Sequence, residues 1–277
     1  MTNAVLRLME DIRVEKLTPT LGARIHGITL NQPATPNIVE TLRHALHEHG
    51  VLFFEFGRRV EEDEFRAFCG LFGEVEIGYR FSTKKEDKPA NQPAVPCIDA
   101  AYQPLKDYRT NMWHTDGTPF ECPPQAAILT PIEPPELGGG TMWSSMYAAY
   151  ECLSSHYQRL LDGLEVLHST VRTPFLKQQK QTVHPAIIRD PVTGKKALYV
   201  NSIYSERFID MSERESDSLM RFLFEHVNTP EFHVGVKWQL GTVAVWEERV
   251  TQHRAVDSFV GPRKLRRLTI VGDRPST

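Results

Sequence analysis

The run Trp113-His114-Thr115-Asp116, answered far downstream by His253 with Arg263 and Arg267 behind it, holds the residue types of a mononuclear metal enzyme. Two imidazoles and one carboxylate make a three-ligand face for divalent iron, with the other coordination positions left open for reactants. In an extended segment, residues two apart project to the same side, so His114 and Asp116 can reach one ion. An H-x-D triplet is common by chance, and its bland reading is a core histidine beside a turn aspartate. His253 raises the odds. It follows the apolar strand ending at Trp246, where a rigid element can place a third ligand opposite the pair. An arginine beyond that histidine can hold a dianionic co-substrate beside the metal.

The same three ligands with a water would also suit a zinc hydrolase, or would clip a non-catalytic binding domain. Neither alternative uses the paired arginines, or Thr141 after Gly138-Gly139-Gly140. His44, His47 and His49 fall on or near the exposed face of a predicted helix. The other histidines have no carboxylate at ligand spacing.

The elements that must carry these residues are mostly short strands. Arg13 to Leu17 reads as an edge strand. A helix opens at Pro36 behind Thr35, presents Ile38, Leu42 and Leu46, and ends at Gly50; Val51 to Phe54 is then a buried strand. Phe65, Phe68 and Phe72 mark a second helix stopped by Gly73. Later strands are predicted over 125–130, 141–143, 164–169, 183–189, 197–200, 232–238, 242–246 and 265–271. One further helix follows the capping box that opens at Ser212. Many short strands with Gly/Pro turns predict a double-sheet jelly roll with flanking helices. Residues 78–112 are polar and proline-bearing, which suits an active-site lid just before His114. Because the candidate ligands come from both halves, residues 1–277 are expected to form one domain.

The 277 residues are 40% hydrophobic and 24% charged, with a net charge of -3, so no basic field for nucleic acid is present. Cys69, Cys97, Cys122 and Cys152 form no C-x-x-C pair and read as reduced thiols. Charged residues from Glu10 to Lys16 interrupt any leader-like apolar stretch, and no run approaches membrane-spanning length. A cytoplasmic protein is the expectation.

At these motifs the chain resembles the taurine dioxygenase (TauD/TfdA-like) family of iron(II)- and 2-oxoglutarate-dependent dioxygenases. W-H-T-D, G-G-x-T before an aromatic, W-x-x-R-x-x-x-H and R-x-x-x-R occur in the family's order and approximate spacing. Further likeness lies in Ser145 to Glu151, in Leu198-Tyr199-Val200-Asn201, and in Arg267 to Asp273. It covers nearly the whole chain and is weakest over 74–110.

The resemblance implies a double-stranded β-helix core. It makes His114, Asp116 and His253 the iron ligands, places Thr141 and Arg263 on the distal carboxylate of 2-oxoglutarate, and turns Arg267 toward an acidic group of the substrate. Arg266 offers a competing register for Arg263, and the family's spacing of four favours Arg263 with Arg267. It further implies consumption of O2, oxidation of a substrate C–H bond, release of succinate and CO2, and a dimer or tetramer. No protein acid or base is required beyond the metal ligands.

The departures are informative. Glu247-Glu248 stand where many relatives carry Asp-Asn. Gly78, Phe81 and Thr110 replace the polar residues that taurine enzymes aim at their sulfonate, so taurine itself is not expected. Arg80, Phe81, Tyr204 and Arg267 would suit a small organic anion that is larger or more apolar, such as an aryloxyalkanoate, an alkyl sulfate or a longer sulfonate.

Overall fold

Strand β3 (Val51–Glu55) shows how the main sheet is built. Val51 and Phe53 enter one buried cluster with Trp143, Trp238 and Trp246, while Leu52 and Phe54 enter another with Leu42, Leu46, Phe65 and Phe68. Alternation with both faces apolar demands cover on both sides. The computed structural model describes residues 12–31, 33–76, 97–100, 111–171, 173 and 179–277. In it β3 lies within a seven-stranded sheet. The order is β1 (Arg13–Lys16), β2 (Ala23–His26), β3, β14 (Thr242–Glu247), β5 (Ala126–Glu133), β17 (Arg263–Ile270) and β4 (Cys97–Ala100). Among the described residues of this sheet, only β2 and β3 pair in parallel.

Helices α1 (Pro36–His49) and α2 (Glu62–Cys69) cover one face. The start of α1 follows its sequence signals: the Thr35 hydroxyl accepts the Ile38 N–H at 3.3 Å, and Pro36 occupies the first turn. Gly50, at φ 69°, ends it. α2 stops at Cys69 and does not run to Gly73; Phe72 stays buried in the turn that follows.

The second face packs on a three-stranded sheet of β13 (His233–Val236), β7 (Thr141–Ser145) and β15 (Thr251–Ala255). Trp143 and Val234 meet Phe53, Leu129, Trp246 and Leu265 between the two sheets. This is the mostly β, double-sheet core with flanking helices that the strand pattern predicts. β15 itself was not predicted. Its residues Thr251, Gln252 and His253 are buried yet polar, so no apolar alternation betrays a strand.

A third core lies beyond the smaller sheet. Helices α3 (Met146–Glu151), α4 (Ser155–Leu161) and α5 (Glu213–Val227) enclose it with the pair β10 (Ile187–Arg189) and β11 (Lys196–Leu198). Beside it runs the sheet β12 (Ser205–Phe208), β8 (Glu165–Ser169) and β9 (Gln181–Pro185); a short pairing of β6 (Leu137–Gly138) with β16 (Phe259–Val260) closes one end. The single strand predicted over 183–189 is split at Ala186. Its N–H goes to Leu164 and its carbonyl to Tyr199, so β9 and β10 serve different partners.

Most of 78–112, expected as a lid, lies outside the described residues. Within it, Cys97–Ala100 forms an edge strand paired with Arg263 to Arg266. Among the described residues no helix is long and apolar enough to cross a membrane.

Candidate metal centre

Trp113 anchors the metal motif. Its indole is buried in the third core, and its Nε1 donates to Asn228 Oδ1 at 2.8 Å. The next residue, His114, forms a two-residue bridge with His253: His114 N–H donates to His253 O at 3.1 Å, and His253 N–H returns to His114 O at 2.8 Å. The two rings lie side by side, with centroids 4.2 Å apart. The third residue therefore stands directly opposite His114, on the neighbouring strand to which it is hydrogen-bonded. A 3-10 turn, Glu248–Val250, carries the chain from β14 into β15. Glu247 holds that turn, accepting Val250 N–H at 3.1 Å and Arg249 Nε at 2.6 Å.

Two-residue periodicity sends Thr115 away, where its hydroxyl donates to Thr251 O at 2.8 Å, and brings Asp116 back beside His114. His114 Nε2 stands 3.6 Å from Asp116 Oδ1, and His253 Nε2 stands 3.7 Å from Asp116 Oδ2. His114 Nδ1 lies 2.8 Å from the Met112 carbonyl, so it carries the proton and leaves the Nε2 lone pair facing the carboxylate. All three residues are buried, and one ligand atom of each lies within 4.8 Å of the others. Burial holds both imidazoles below their ordinary pKa, His253 the further, and so keeps them neutral. Burial alone would raise the Asp116 carboxyl, but Arg267, His253 and His114 outweigh it and hold it well below the usual carboxylate range.

Glu248 is the member the sequence did not resolve. It is fully buried; Oε2 accepts the Asp116 N–H at 3.1 Å, and Oε1 accepts from Arg267 at 3.2 Å. Burial and the neighbouring Asp116 charge push its carboxyl up, against the pull of Arg267. The signal was the acidic residue in the Asp-Asn position, which pointed to altered hydrogen bonding near His253 but not to Asp116 or Arg267.

The four-residue step from Arg263 to Arg267 keeps both on the inner face of β17 with Leu265. The Arg267 guanidinium bonds Asp116 and lies 5.5 Å over the Trp246 ring. Arg266 points to the outer face and donates to Val60 O at 2.8 Å, which removes it as a competitor for the site. Arg263 Nε donates to Gly139 O at 2.8 Å, and burial holds its guanidinium below its ordinary pKa, against Asp257. That contact needs the triple glycine. A Cβ on Gly139 would sit 3.2 Å from Arg263 Cδ and 2.9 Å from Phe259 Cβ, and one on Gly140 would collide with the Val236 carbonyl.

Thr141 opens β7 two residues past Gly139, with its hydroxyl accepting from Trp238 Nε1 at 3.1 Å. It is registered opposite Ala255, while Trp143 is opposite His253. Tyr204 is buried on the loop before β12, its N–H bonded to Asn201 Oδ1 at 2.9 Å. Arg80 and Phe81 lie outside the described residues. His47 corrects the reading of the first helix: it is buried, with Nδ1 2.6 Å from Asp190 Oδ2.

Residues 13–269 match the family described as taurine catabolism dioxygenase TauD, TfdA family. An alkylsulfatase of Acinetobacter baylyi is 31% identical over 99% of this chain and 89% of its own length. An alpha-ketoglutarate-dependent sulfate ester dioxygenase of Pseudomonas putida is 30% identical over 99% of this chain and 95% of its own. Among solved structures, AAD-2 in complex with Mn(II) and N-oxalylglycine has a TM-score of 0.84 at 26% identity, covering 96% of this chain and 99% of that one. With a family match this extensive and relatives aligned along almost their full length, the chain belongs to the TauD/TfdA family and is an alpha-ketoglutarate-dependent dioxygenase.

Proposed function

We propose that this dioxygenase oxidises the ester-bearing carbon of an alkyl sulfate. The family implies iron, 2-oxoglutarate and O2, and decides against a zinc hydrolase or a non-catalytic binding domain. The observation that carries the site assignment is the convergence of His114, Asp116 and His253 within 4.8 Å. Their fit to a ferrous ion is good on chemistry: two neutral imidazoles, one ionised carboxylate and ligand atoms too far apart to bond one another. The 3.6 and 3.7 Å separations leave room for one ion that His114, Asp116 and His253 would hold between them. Bound there with 2-oxoglutarate and O2, iron would supply the oxidative decarboxylation to succinate and CO2 that drives C–H hydroxylation.

The chain's own groups then bind and orient. Arg263 and Thr141 take the far carboxylate of 2-oxoglutarate. Thr141 is registered two residues along from the His253 level, about 7 Å, a length a five-carbon diacid can bridge. The Gly139 carbonyl holds Arg263 Nε and so presents its terminal N–H groups as a fork. Arg267 receives the substrate anion, and Tyr204, Arg80 and Phe81 bound the remainder of that pocket. No side chain is assigned as acid or base.

The sulfate ester class is supported by the two relatives named for sulfate esters and alkyl sulfates. Hydroxylating R–CH2–OSO3− at carbon gives a hemiacetal sulfate, which breaks its C–O bond to release hydrogen sulfate and an aldehyde. One O2 oxygen enters succinate and the other becomes the aldehyde oxygen. The family resemblance further supports a dimer or tetramer, which light scattering would test; a cytoplasmic location is likewise proposed, and cell fractionation would test it.

The test is direct. Purified protein with ferrous iron, ascorbate, O2 and 2-oxoglutarate should form succinate and aldehyde in equal amounts from alkyl sulfates, ahead of sulfonates and aryloxy acids. His114→Ala should reduce both to background and remove Co(II) binding in calorimetry. Succinate no higher with any anion than without substrate would sink the proposal.

A further inference from the structure

The motif Leu198-Tyr199-Val200-Asn201 touches no candidate ligand, yet the tripeptide Val200-Asn201-Ser202 is bonded beside all three. Val200 O accepts Gln252 Nε2 at 2.7 Å, one residue from His253. Asn201 Nδ2 donates to Thr118 Oγ1 at 3.3 Å, two residues past Asp116. Ser202 Oγ donates to Trp113 O at 2.8 Å, one residue before His114. The ligand segment is thus held on both sides, and β15 one residue before its ligand, by one tripeptide acting through two side chains and one backbone carbonyl.

Asn201 also shapes the loop that bears Tyr204. Its Oδ1 accepts the N–H groups of Ile203 at 3.2 Å and Tyr204 at 2.9 Å, and its own N–H donates to Ser205 Oγ at 3.0 Å. Asn201, Thr118 and Ser205 are all buried, so water cannot replace a lost partner. Thr118 Oγ1 is further fixed by His168 Nδ1 at 3.0 Å, which ties the turn to β8.

Resting on the site assignment above, we propose that Asn201 and Ser202 are positioning residues: they set the metal-ligand turn and the Tyr204 loop at one fixed separation. Substrate contacts made on the loop are thereby referenced to the ion. Neither residue touches metal or substrate. Groups hydrogen-bonded to metal ligands change metal affinity by roughly 10- to 100-fold when lost, and one bond further out the low end of that range is expected.

Two variants separate the links. Ser202→Ala removes the Trp113 bond alone, at a half-buried site, and Thr118→Val removes the Asn201 and His168 bonds together while keeping side-chain shape. Each should weaken Co(II) binding about 10-fold by calorimetry, without 2-oxoglutarate or substrate present. Each should also raise succinate formed per aldehyde several-fold above one, since a misplaced substrate lets decarboxylation proceed unproductively. Merely structural damage would lower the melting temperature without changing that ratio. Should Thr118→Val fail to fold, Ser202→Ala decides alone. Folded variants with Co(II) affinity within twofold of the parent overturn the proposal and leave the site assignment standing. A parent that binds Co(II) but makes no succinate overturns the reaction, and calorimetry still decides the positioning role. A parent that binds no Co(II) overturns both.

Discussion

The Arg267 guanidinium is bonded directly to the Asp116 carboxylate, a candidate metal ligand, and the same nitrogen reaches Glu248 at 3.2 Å. The arginine that would receive the substrate anion is thus positioned by the metal face itself. An ion at Asp116 draws on that carboxylate's charge and loosens its hold on Arg267, so metal loading and anion binding share a group. Arg267→Gln should raise KM for an anionic substrate about 10- to 100-fold, the worth of a charged hydrogen bond. KM for 2-oxoglutarate should stay within about twofold. Steady-state kinetics with each substrate varied in turn checks this, and an unchanged KM for the anion removes Arg267 from that role.

Arg263 holds Gly139 O through Nε, and in the role proposed for it would also offer its terminal nitrogens to a diacid. Lysine has a single ammonium and cannot satisfy both. Arg263→Lys should therefore raise KM for 2-oxoglutarate by about 10-fold or more despite keeping the charge. Arg263→Gln should be worse. Titrating 2-oxoglutarate at saturating substrate reads the effect; a lysine variant matching the parent would show that charge alone suffices.

How much of this was legible in the sequence differs from residue to residue. α1 was readable because Thr35, Pro36 and Gly50 act locally, each on its own turn. The same held for β3, whose composition alone marks a buried strand. His114 and Asp116 were readable because spacing within one extended segment fixes their common side. His253 could be named but not placed, since its bridge to His114 spans the chain and its strand is polar. Arg266 and Arg263 could not be separated by charge; the strand's two-residue alternation decides between them once β17 is paired. Glu248 and Thr118 act through partners distant in sequence, as Asn201 does in its bond to Thr118, and no local pattern encodes such a partner. His47 failed for the same reason, its mate being Asp190.

The His47–Asp190 pair links α1 to the turn after β10 and gives the fold an acid-sensitive joint. Burial would raise the Asp190 carboxyl, but the His47 hydrogen bond and the Thr193 N–H, at 2.7 Å, prevail and lower it to about 2. Because the folded value lies below the ordinary 3.8, ionised Asp190 stabilises the fold above about pH 4. That stabilisation, roughly 2 kcal/mol, fades as pH falls through the folded value, with about half gone by pH 3. Asp190→Asn keeps an acceptor for the Val192 and Thr193 N–H groups and removes only the charge. It should lower the urea-unfolding free energy by about 2 kcal/mol at pH 7 and by about half that at pH 3. A difference that is the same at both pH values would mean that the hydrogen bonds, and not the ionised carboxylate, hold this joint.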